Sequence, residues 1–420
     1  MDKIVINGGK RLRGDVKISG SKNAALPILI ATLLTDGKCV IDNVPELEDI
    51  NTVVALLKHL GKKIKKEKNK ITITANGKLQ TDAPYKLVSK MRASVLVAGP
   101  LLARFKKAEI PLPGGCAIGI RPINIHLDGL AKLGAKYFVS GGNVKIFAKK
   151  LNGTKIILDF PSVGATENLL MTATIIKGKT VIKNAATEPE ITDLANFLVK
   201  IGADIKGIGT KTLEINGVKK LKGWPDGYEI IPDRIETGTF IVASSLTLGN
   251  INISNAIFEH NESLIEKVKL AGAKILMLNG ILRVVGPKKI KPVDAETQVY
   301  PGFATDLQPL WMALMSIASG KSVITETIFE NRLQAVAEFL KMGADIKIKG
   351  NTAIVKGVKN LTGAKVVASD LRAAAALILA GLSAKGKTEI TGLEYLDRGY
   401  ENIVRKLEKL GADIKRVIDN

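Results

Sequence analysis

The sequence of 420 residues contains little cysteine and few aromatic side chains. Cys39 and Cys116 are its only two cysteines, too few for a disulfide framework, so we predict a cytoplasmic protein. Phe, Trp and Tyr together make up 4% of the residues, which leaves few rings on which bases could stack. We therefore expect no nucleic-acid partner, although the formal net charge is +22.

Long apolar runs and clusters of metal ligands are also missing from the sequence. Ser, Thr, Asn and Gly interrupt the uncharged stretch at 237–258, so we expect no membrane span. The three histidines and two cysteines are scattered, and we expect no metal and no other cofactor. We also expect a monomer. The positive charge indicates either phosphorylated substrates or a lysine-rich surface, and the alternating lysines of 61–70 are typical of an exposed edge strand.

One pattern recurs six times along the chain: an apolar-periodic helix ends at a glycine, and a short β-branched strand follows. The glycines lie about 70 residues apart, a spacing that indicates a repeat architecture. Each glycine suits the position after a helix, where a left-handed backbone is needed. The six are Gly61, Gly134, Gly202, Gly272, Gly343 and Gly411.

A second, strongly apolar helix precedes another strand in each repeat, as at 307–317 and 373–382. Helices that are apolar on most faces must be buried, so we predict that helices form the inside and sheets the outside. The segment 223–227 (Gly-Trp-Pro-Asp-Gly) breaks the pattern and leaves three repeats on each side. We expect the ligand site in a cleft between the two halves.

Polar residues at the starts of the apolar helices are candidates for function. Serine, threonine and aspartate there satisfy free helix amides, but Lys22, Arg92, Arg234 and Arg372 oppose the helix dipole. Cations aimed at one place with several helix starts make an anion-binding site. A separate loop, 111–121, contains two prolines, three glycines and Cys116, and we predict that it carries chemistry.

Four segments together resemble the enolpyruvyl transferases. They are 21–27 (Ser-Lys-Asn-Ala-Ala-Leu-Pro), Gly114-Gly115-Cys116 with Arg121-Pro122, 233–238 (Asp-Arg-Ile-Glu-Thr-Gly) and 397–401 (Asp-Arg-Gly-Tyr-Glu). The resemblance runs in order through the whole chain. It implies an α/β fold of two inside-out α/β barrel domains, each of three βαβαββ repeats, with a cleft between them. The first domain would span 21–229 and carry the Cys116 loop, and the second would comprise 1–20 and 230–420.

The resemblance is greatest to the members that act on UDP-N-acetylglucosamine. It implies that the enolpyruvyl group of phosphoenolpyruvate moves to the 3′-hydroxyl of that sugar nucleotide, by addition and then elimination of phosphate. This is the first committed step of peptidoglycan precursor synthesis. It further implies that Cys116 donates a proton or adds covalently, that Lys22, Arg121 and Arg398 bind phosphate, and that Arg372 binds the carboxylate. Asp306 is implied as the base.

Other positions correspond by resemblance to contacts with the UDP-sugar. Asp370 and Arg332 are implied as supporting residues beside them, with helix capping or a solvated salt bridge as the alternative. His126 could contact uracil or be a packed core histidine. The contact positions are Asn23, Arg92, Arg121, Pro122, Ile123, Asn124, Ile125, Ser162, Val163, Gly164, Asp306 and Ile328.

Two other functions compete with this interpretation. Transfer of the same group to 3-phosphoshikimate uses the same fold and lysine, but it does not rely on a loop cysteine, so the Gly-Gly-Cys segment argues against it. A non-catalytic repeat scaffold with a basic surface would need neither Cys116 nor Asp306.

Overall fold

The computed structural model describes residues 2–75, 77–89, 91–112 and 123–418. These residues form two compact units. The first unit comprises 20–112 and 123–231, and the second comprises 2–19 and 232–418. We describe each unit by itself.

Strands in the described residues are short and are numbered in chain order. They are β1 (Lys3–Asn7), β2 (Arg13–Lys17), β3 (Cys39–Asp42), β4 (Lys62–Glu67), β5 (Lys70–Ala75), β6 (Lys107–Pro111), β7 (Lys136–Ser140), β8 (Asn143–Phe147), β9 (Lys155–Ile157), β10 (Lys179–Lys183), β11 (Asp204–Lys206), β12 (Thr212–Asn216), β13 (Trp224–Glu229), β14 (Asn250–Ser254), β15 (Lys274–Leu278), β16 (Ile281–Val285), β17 (Ala295–Glu296), β18 (Lys321–Thr325), β19 (Asp345–Lys349), β20 (Thr352–Lys356), β21 (Lys365–Val367), β22 (Lys387–Thr391) and β23 (Asp413–Val417).

Helices alternate with these strands. They are α1 (Lys22–Ala31), α2 (Glu48–His59), α3 (Tyr85–Val88), α4 (Ala98–Phe105), α5 (Asn124–Lys132), α6 (Val163–Ala173), α7 (Pro189–Lys200), α8 (Arg234–Leu246), α9 (Glu262–Leu270), α10 (Gln308–Met315), α11 (Val336–Lys341), α12 (Leu371–Ser383), α13 (Leu393–Leu396) and α14 (Ile403–Lys409). Turns of 3₁₀ helix lie at Thr32–Leu34, Arg92–Val97, Phe258–Asn261, Thr305–Leu307 and Arg332–Ala335.

The described strands form six small sheets, three in each unit. The first unit holds β13-β3-β5-β4, β6-β8-β7 and β11-β12-β10-β9, and the second holds β21-β22-β1-β23, β15-β16-β14-β2 and β17-β18-β20-β19. In the sheet of β9 to β12, β9 pairs parallel with β10, and β12 pairs antiparallel with both β10 and β11. With α6 and α7 between its strands, this segment has the order βαβαββ. The sequence repeat is therefore a structural repeat.

Strands distant in sequence complete several of the sheets. β1 pairs antiparallel with both β22 and β23, and β2 pairs parallel with β14, so the N-terminal residues belong to sheets of the second unit. In the first unit β13 pairs parallel with β3. Long stretches of chain therefore separate the two strands of each of these parallel pairs.

Buried helices form the centre of each unit. Every residue of α8 and of α10 is buried, and α12 is buried from Arg372 to Leu382. In the first unit α1 and α6 are buried in the same way beyond their first residues. The predicted arrangement, with helices inside and sheets outside, is confirmed in both units.

The glycines of the repeat have the backbone conformation that the pattern predicts. Their φ angles are positive and lie between +80° at Gly343 and +106° at Gly202. In the first, the amide of Gly61 donates to the carbonyl of Lys58, which closes the last turn of α2. These residues end each helix and turn the chain into the next strand.

The lysine-rich strand differs from the prediction at one position. β4 is an edge strand, and Lys63, Lys65 and Lys66 are partly or fully exposed, as expected. Lys62 is instead 2% exposed, and its Nζ donates to the carbonyl oxygen of Thr35 at 2.6 Å. Burial lowers the pKa of Lys62 to about 8. Alternation alone could not reveal which lysine meets a buried carbonyl.

Replacing Gly343 tests the conformational requirement of the repeat. A Cβ at this position would meet only Thr362 Oγ1, at 3.9 Å, so the cost of Gly343→Ala is that of the left-handed backbone. We expect a loss of about 1–2 kcal/mol in the free energy of unfolding, measured by chemical denaturation. Gly343→Asn is the control, since asparagine adopts this conformation more readily, and it should lose less. Equal losses in both variants would contradict the explanation.

Candidate active site

Three helix starts of the second unit carry carboxylates. Asp233 caps α8, and its Oδ1 accepts from the amides of Ile235 at 2.8 Å and Glu236 at 3.0 Å. Asp370 caps α12 in the same way. Asp306 lies within the 3₁₀ turn that precedes α10, and its carboxylate faces arginines instead.

Asp306 shares one carboxylate oxygen between two arginines. Its Oδ1 lies 2.9 Å from Nη2 of Arg332 and 2.9 Å from Nε of Arg372, and both arginine side chains are almost fully buried. Burial by itself would raise the pKa of Asp306, but Arg372 and Arg332 outweigh it and hold the pKa well below its usual range. Asp306 is therefore ionised in this arrangement.

Neighbouring residues fix these arginines in place. Arg332 Nη1 lies 3.9 Å from Asp370 Oδ1. The guanidinium of Arg372 lies over the ring of Tyr400, 5.7 Å from its centroid, and the Tyr400 hydroxyl is 2.8 Å from that of Thr239. The structure thus brings together Asp306, Arg332, Asp370 and Arg372 from distant parts of the sequence.

The other predicted residues of the second unit are Arg398 and Ile328. Arg398 follows α13, is partly buried, and its amide donates to the carbonyl of Tyr395 at 3.4 Å. Ile328 is partly exposed and lies between β18 and the 3₁₀ turn that begins at Arg332. Its amide donates to Glu326 Oε1 at 2.8 Å.

Lys22 begins α1 in the first unit and has an anionic partner. Ser21 caps the helix, and Lys22 Nζ lies 3.2 Å from Asp49 Oδ2, in the first turn of α2. Both side chains are largely buried, at 12% and 5% exposure. This pair supplies the compensation that a cation at a helix start requires. Asn23, the next residue of α1, is partly buried.

A second group of predicted residues in the first unit surrounds the starts of α5 and α6. Ser162 caps α6 by accepting from the amide of Ala165 at 3.3 Å, and Val163 and Gly164 form its first turn. Ile123 precedes α5, and Asn124 and Ile125 begin it.

His126 of α5 is a packed core histidine. It is 8% exposed, and its Nδ1 lies 3.2 Å from Nδ2 of Asn168. Since that amide nitrogen can only donate, Nδ1 accepts and the ring is neutral. A Cβ at Gly164 would come within 3.0 Å of the imidazole, so His126 packs directly against the first turn of α6.

Several predicted residues fall outside the described part of the chain. They are Cys116, Arg121 and Pro122. The backbone of Arg92 begins the 3₁₀ turn Arg92–Val97, but its side chain is not among those described.

Sequence reasoning missed residues that act on the predicted ones. Asp49, Tyr400 and Glu326 each contact a predicted residue or the segment that carries it. Asp49 stands in a first helical turn, where acidic residues are common, so the sequence offered no reason to single it out. Arg234 was noticed as a helix-start cation, and its charge contributes to the low pKa of Asp306.

Neither a metal centre nor a membrane span is found within residues 2–75, 77–89, 91–112 and 123–418. In these ranges no group of three or more His, Cys, Asp or Glu side chains could hold a metal ion. No helix within the described ranges is long and apolar enough to cross a membrane.

The two sets of buried helices, each enclosed by three sheets, define the fold found in enolpyruvyl transferases. The crystal structure of the enolpyruvyl transferase NikO from Streptomyces tendae superimposes with a TM-score of 0.88. The comparison covers 100% of this chain and 99% of that one at 24% sequence identity, so it shows the fold. The predicted fold class is confirmed.

Sequence comparison gives the family. Residues 6–407 match the family model described as EPSP synthase (3-phosphoshikimate 1-carboxyvinyltransferase), and the chain belongs to this enolpyruvyl transferase family. A relative from Geotalea uraniireducens (strain Rf4), named UDP-N-acetylglucosamine 1-carboxyvinyltransferase, is 53% identical over 99% of this chain and 100% of its own length. A relative of the same name from Endomicrobium trichonymphae is 52% identical over 100% of both chains.

The buried neutral state of His126 predicts how stability depends on pH. Burial lowers its pKa from 6.5 to about 4, so the unfolded chain binds a proton that the folded chain rejects. The free energy of unfolding should therefore fall as pH drops from about 6.5 to 4, by on the order of 3 kcal/mol from this group. Chemical denaturation at several pH values measures it.

His126→Asn is the matched variant, because its side-chain oxygen can replace Nδ1 as acceptor for Asn168 but does not titrate. It should be less stable at pH 7 and show a smaller loss on acidification. His260, whose pKa burial also lowers to about 4, remains in both proteins, so the difference between them isolates His126. Identical pH dependence would contradict the prediction.

Proposed function

We propose that this protein transfers the enolpyruvyl group of phosphoenolpyruvate to the 3′-hydroxyl of UDP-N-acetylglucosamine and releases phosphate. The observation that carries the proposal is the identity of 52–53% over nearly the whole chain to relatives named for this activity. The cluster of Asp306, Arg332 and Arg372 supports it, because it combines a carboxylate with cations suited to an anionic substrate.

The reaction needs one proton acceptor, one proton donor and cations for the phosphate and carboxylate groups. The sugar 3′-oxygen attacks C2 of phosphoenolpyruvate while a proton is added to its methylene carbon, which becomes a methyl group. Loss of a methyl proton and of phosphate from the tetrahedral intermediate then restores the double bond. We assign the donor to Cys116, which as a thiolate could instead add to C2.

Asp306 accepts the hydroxyl proton in this scheme. With both arginines on its oxygen it is a weak base, since its pKa is held well below the usual range. When the substrate carboxylate binds Arg372, it competes with Asp306 for that guanidinium. Arg372 then stabilises the ionised carboxylate of Asp306 less, and the pKa of Asp306 rises. Binding of phosphoenolpyruvate thus makes Asp306 a stronger base.

Cations bind the remaining charges. Lys22, Arg121 and Arg398 bind the phosphate, and Arg372 binds the carboxylate, as arginine geometry favours. Asp370 and Arg332 support the site. We assign the contacts with the nucleotide sugar to the remaining predicted residues. They are Asn23, Arg92, Arg121, Pro122, Ile123, Asn124, Ile125, Ser162, Val163, Gly164, Asp306 and Ile328.

The same proposal extends to organisation and biological role. Residues 21–229 form one catalytic domain and residues 1–20 with 230–420 the other, and the protein acts as a monomer. The product would be the first committed intermediate of peptidoglycan synthesis, which serves the cell wall, cell shape and cell division. Since both substrates are phosphorylated metabolites of the cell interior, we propose a cytoplasmic location.

Transfer to 3-phosphoshikimate is the second candidate. The description of the matching family model favours it, since it names that activity. The relatives at 52–53% identity favour the UDP-sugar, because they are named for transfer to that acceptor.

Phosphate release distinguishes the two acceptors. We expect release from phosphoenolpyruvate with UDP-N-acetylglucosamine, none with 3-phosphoshikimate, and a loss of at least about a hundredfold in Cys116→Ala. Cys39→Ala is the matched control, because Cys39 is a buried residue of β3 and has no part in the proposed chemistry. Release with 3-phosphoshikimate alone would keep the fold and replace the function.

A further inference from the structure

Glu326 is a buried carboxylate that follows β18 and collects four hydrogen-bond donors. The residue is 3% exposed. Its Oε1 accepts from the Thr297 hydroxyl at 2.9 Å and from the amides of Ile328 at 2.8 Å and Phe329 at 3.0 Å. Its Oε2 accepts from the Thr305 hydroxyl at 2.9 Å. A carboxylate only accepts, so each donor must point its hydrogen at Glu326.

The backbone of Glu326 is fixed as firmly as its side chain. Its amide donates to the carbonyl of Asn351 at 2.9 Å, and its carbonyl accepts from Nδ2 of Asn351 at 2.8 Å. The carboxylate also accepts hydrogen bonds from the amides of Ile328 and Phe329, which makes the chain turn directly after Glu326. Glu326 therefore sets the path of the segment that leads to Arg332.

The two ends of this segment, Glu326 and Arg332, both contact Thr305, the residue before Asp306. Arg332 Nε donates to the carbonyl of Thr305 at 3.3 Å, and Arg332 Nη2 binds Asp306. The Arg332 guanidinium also lies over the ring of Phe329, 5.8 Å from its centroid. Thr305 is thus held by Glu326 through its hydroxyl and by Arg332 through its carbonyl, immediately before Asp306.

We infer that Glu326 is a positioning residue that holds Asp306 and Ile328 in one fixed relation. The inference rests on the proposed function, in which Asp306 accepts the hydroxyl proton and Ile328 contacts the nucleotide. Glu326 touches neither substrate; it acts through Thr305 on one side and through the amides of Ile328 and Phe329 on the other. One buried carboxylate therefore couples the binding of the nucleotide to the placement of the base.

Thr305→Val tests the hydrogen bond to Glu326 from Thr305, which precedes Asp306 in the chain, since it removes the hydroxyl and keeps the shape of the side chain. We expect kcat to fall roughly tenfold while KM for UDP-N-acetylglucosamine stays within about twofold, because only the base is displaced. Thr325→Val is the matched control. The Thr325 hydroxyl is 3.3 Å from that of Thr352 and belongs to the residue next to Glu326. It should leave both constants within about twofold.

Glu326→Ala removes the contact with Thr305 and the contacts with the amides of Ile328 and Phe329. We expect kcat to fall roughly tenfold or more and KM for the UDP-sugar to rise about fivefold. Glu326→Gln should restore most activity, because its carbonyl oxygen still accepts from the two amides and its amide can donate to the Thr305 hydroxyl. If Glu326 had only a structural role, its variants would lower thermal stability. Thr305→Val would then not lower kcat selectively while Glu326→Ala changes both kcat and KM.

Amide hydrogen exchange at Ile328 and Phe329 gives a readout that needs no substrate. Exchange at both should accelerate at least about tenfold in Glu326→Ala and stay near wild type in Glu326→Gln. Unchanged exchange in Glu326→Ala, or equal kinetics for Thr305→Val and Thr325→Val, would overturn the inference. If the wild-type protein releases no phosphate with the UDP-sugar while exchange responds as expected, the proposed function is wrong. The structural role of Glu326 in holding Ile328 and Phe329 is then still supported.

Discussion

The buried helices α8, α10 and α12 carry their charged side chains at or just before their first turn, because a charge in the middle of such a helix would be buried without water. α8 and α10 have no exposed residue along their length. Their first amides still need acceptors, because an unpaired amide inside a protein costs free energy. Acceptors therefore collect at the starts of these helices. Lys22, Asp306 and Arg372 lie at or just before the starts of buried helices.

Cations that the helix dipole disfavours also lie at these helix starts, and neighbouring carboxylates offset their charge. Lys22 is paired with Asp49 in the first unit, and Arg372 with Asp306 in the second. Removing one partner of such a buried pair leaves an uncompensated charge, which is strongly destabilising. A bound anion can replace the carboxylate at little electrostatic cost. Under the proposed function, such pairs hold the cations in place before the substrate binds.

Local sequence patterns predicted the elements well and the contacts between them poorly. The repeat glycines and the capping residues Ser21 and Asp370 follow from the chain's own periodicity, because each acts within its own helix. Glu326 contacts Thr305 and Thr297 across different elements, and Lys62 contacts a carbonyl of another segment. No spacing along the chain encodes such partners, so their roles emerge only once the sheets are assembled.

The repeats also show how one position acquires a different role. Asp233 and Asp370 stand just before α8 and α12, and each uses one carboxylate oxygen to accept two backbone amides. Asp306 stands inside a 3₁₀ turn ahead of α10, so its oxygen is available to Arg332 and Arg372. A small shift of the carboxylate relative to the helix start changes a cap into the centre of a charge cluster. Since Glu326 holds Thr305 in that turn, the shift itself depends on a residue outside the helix.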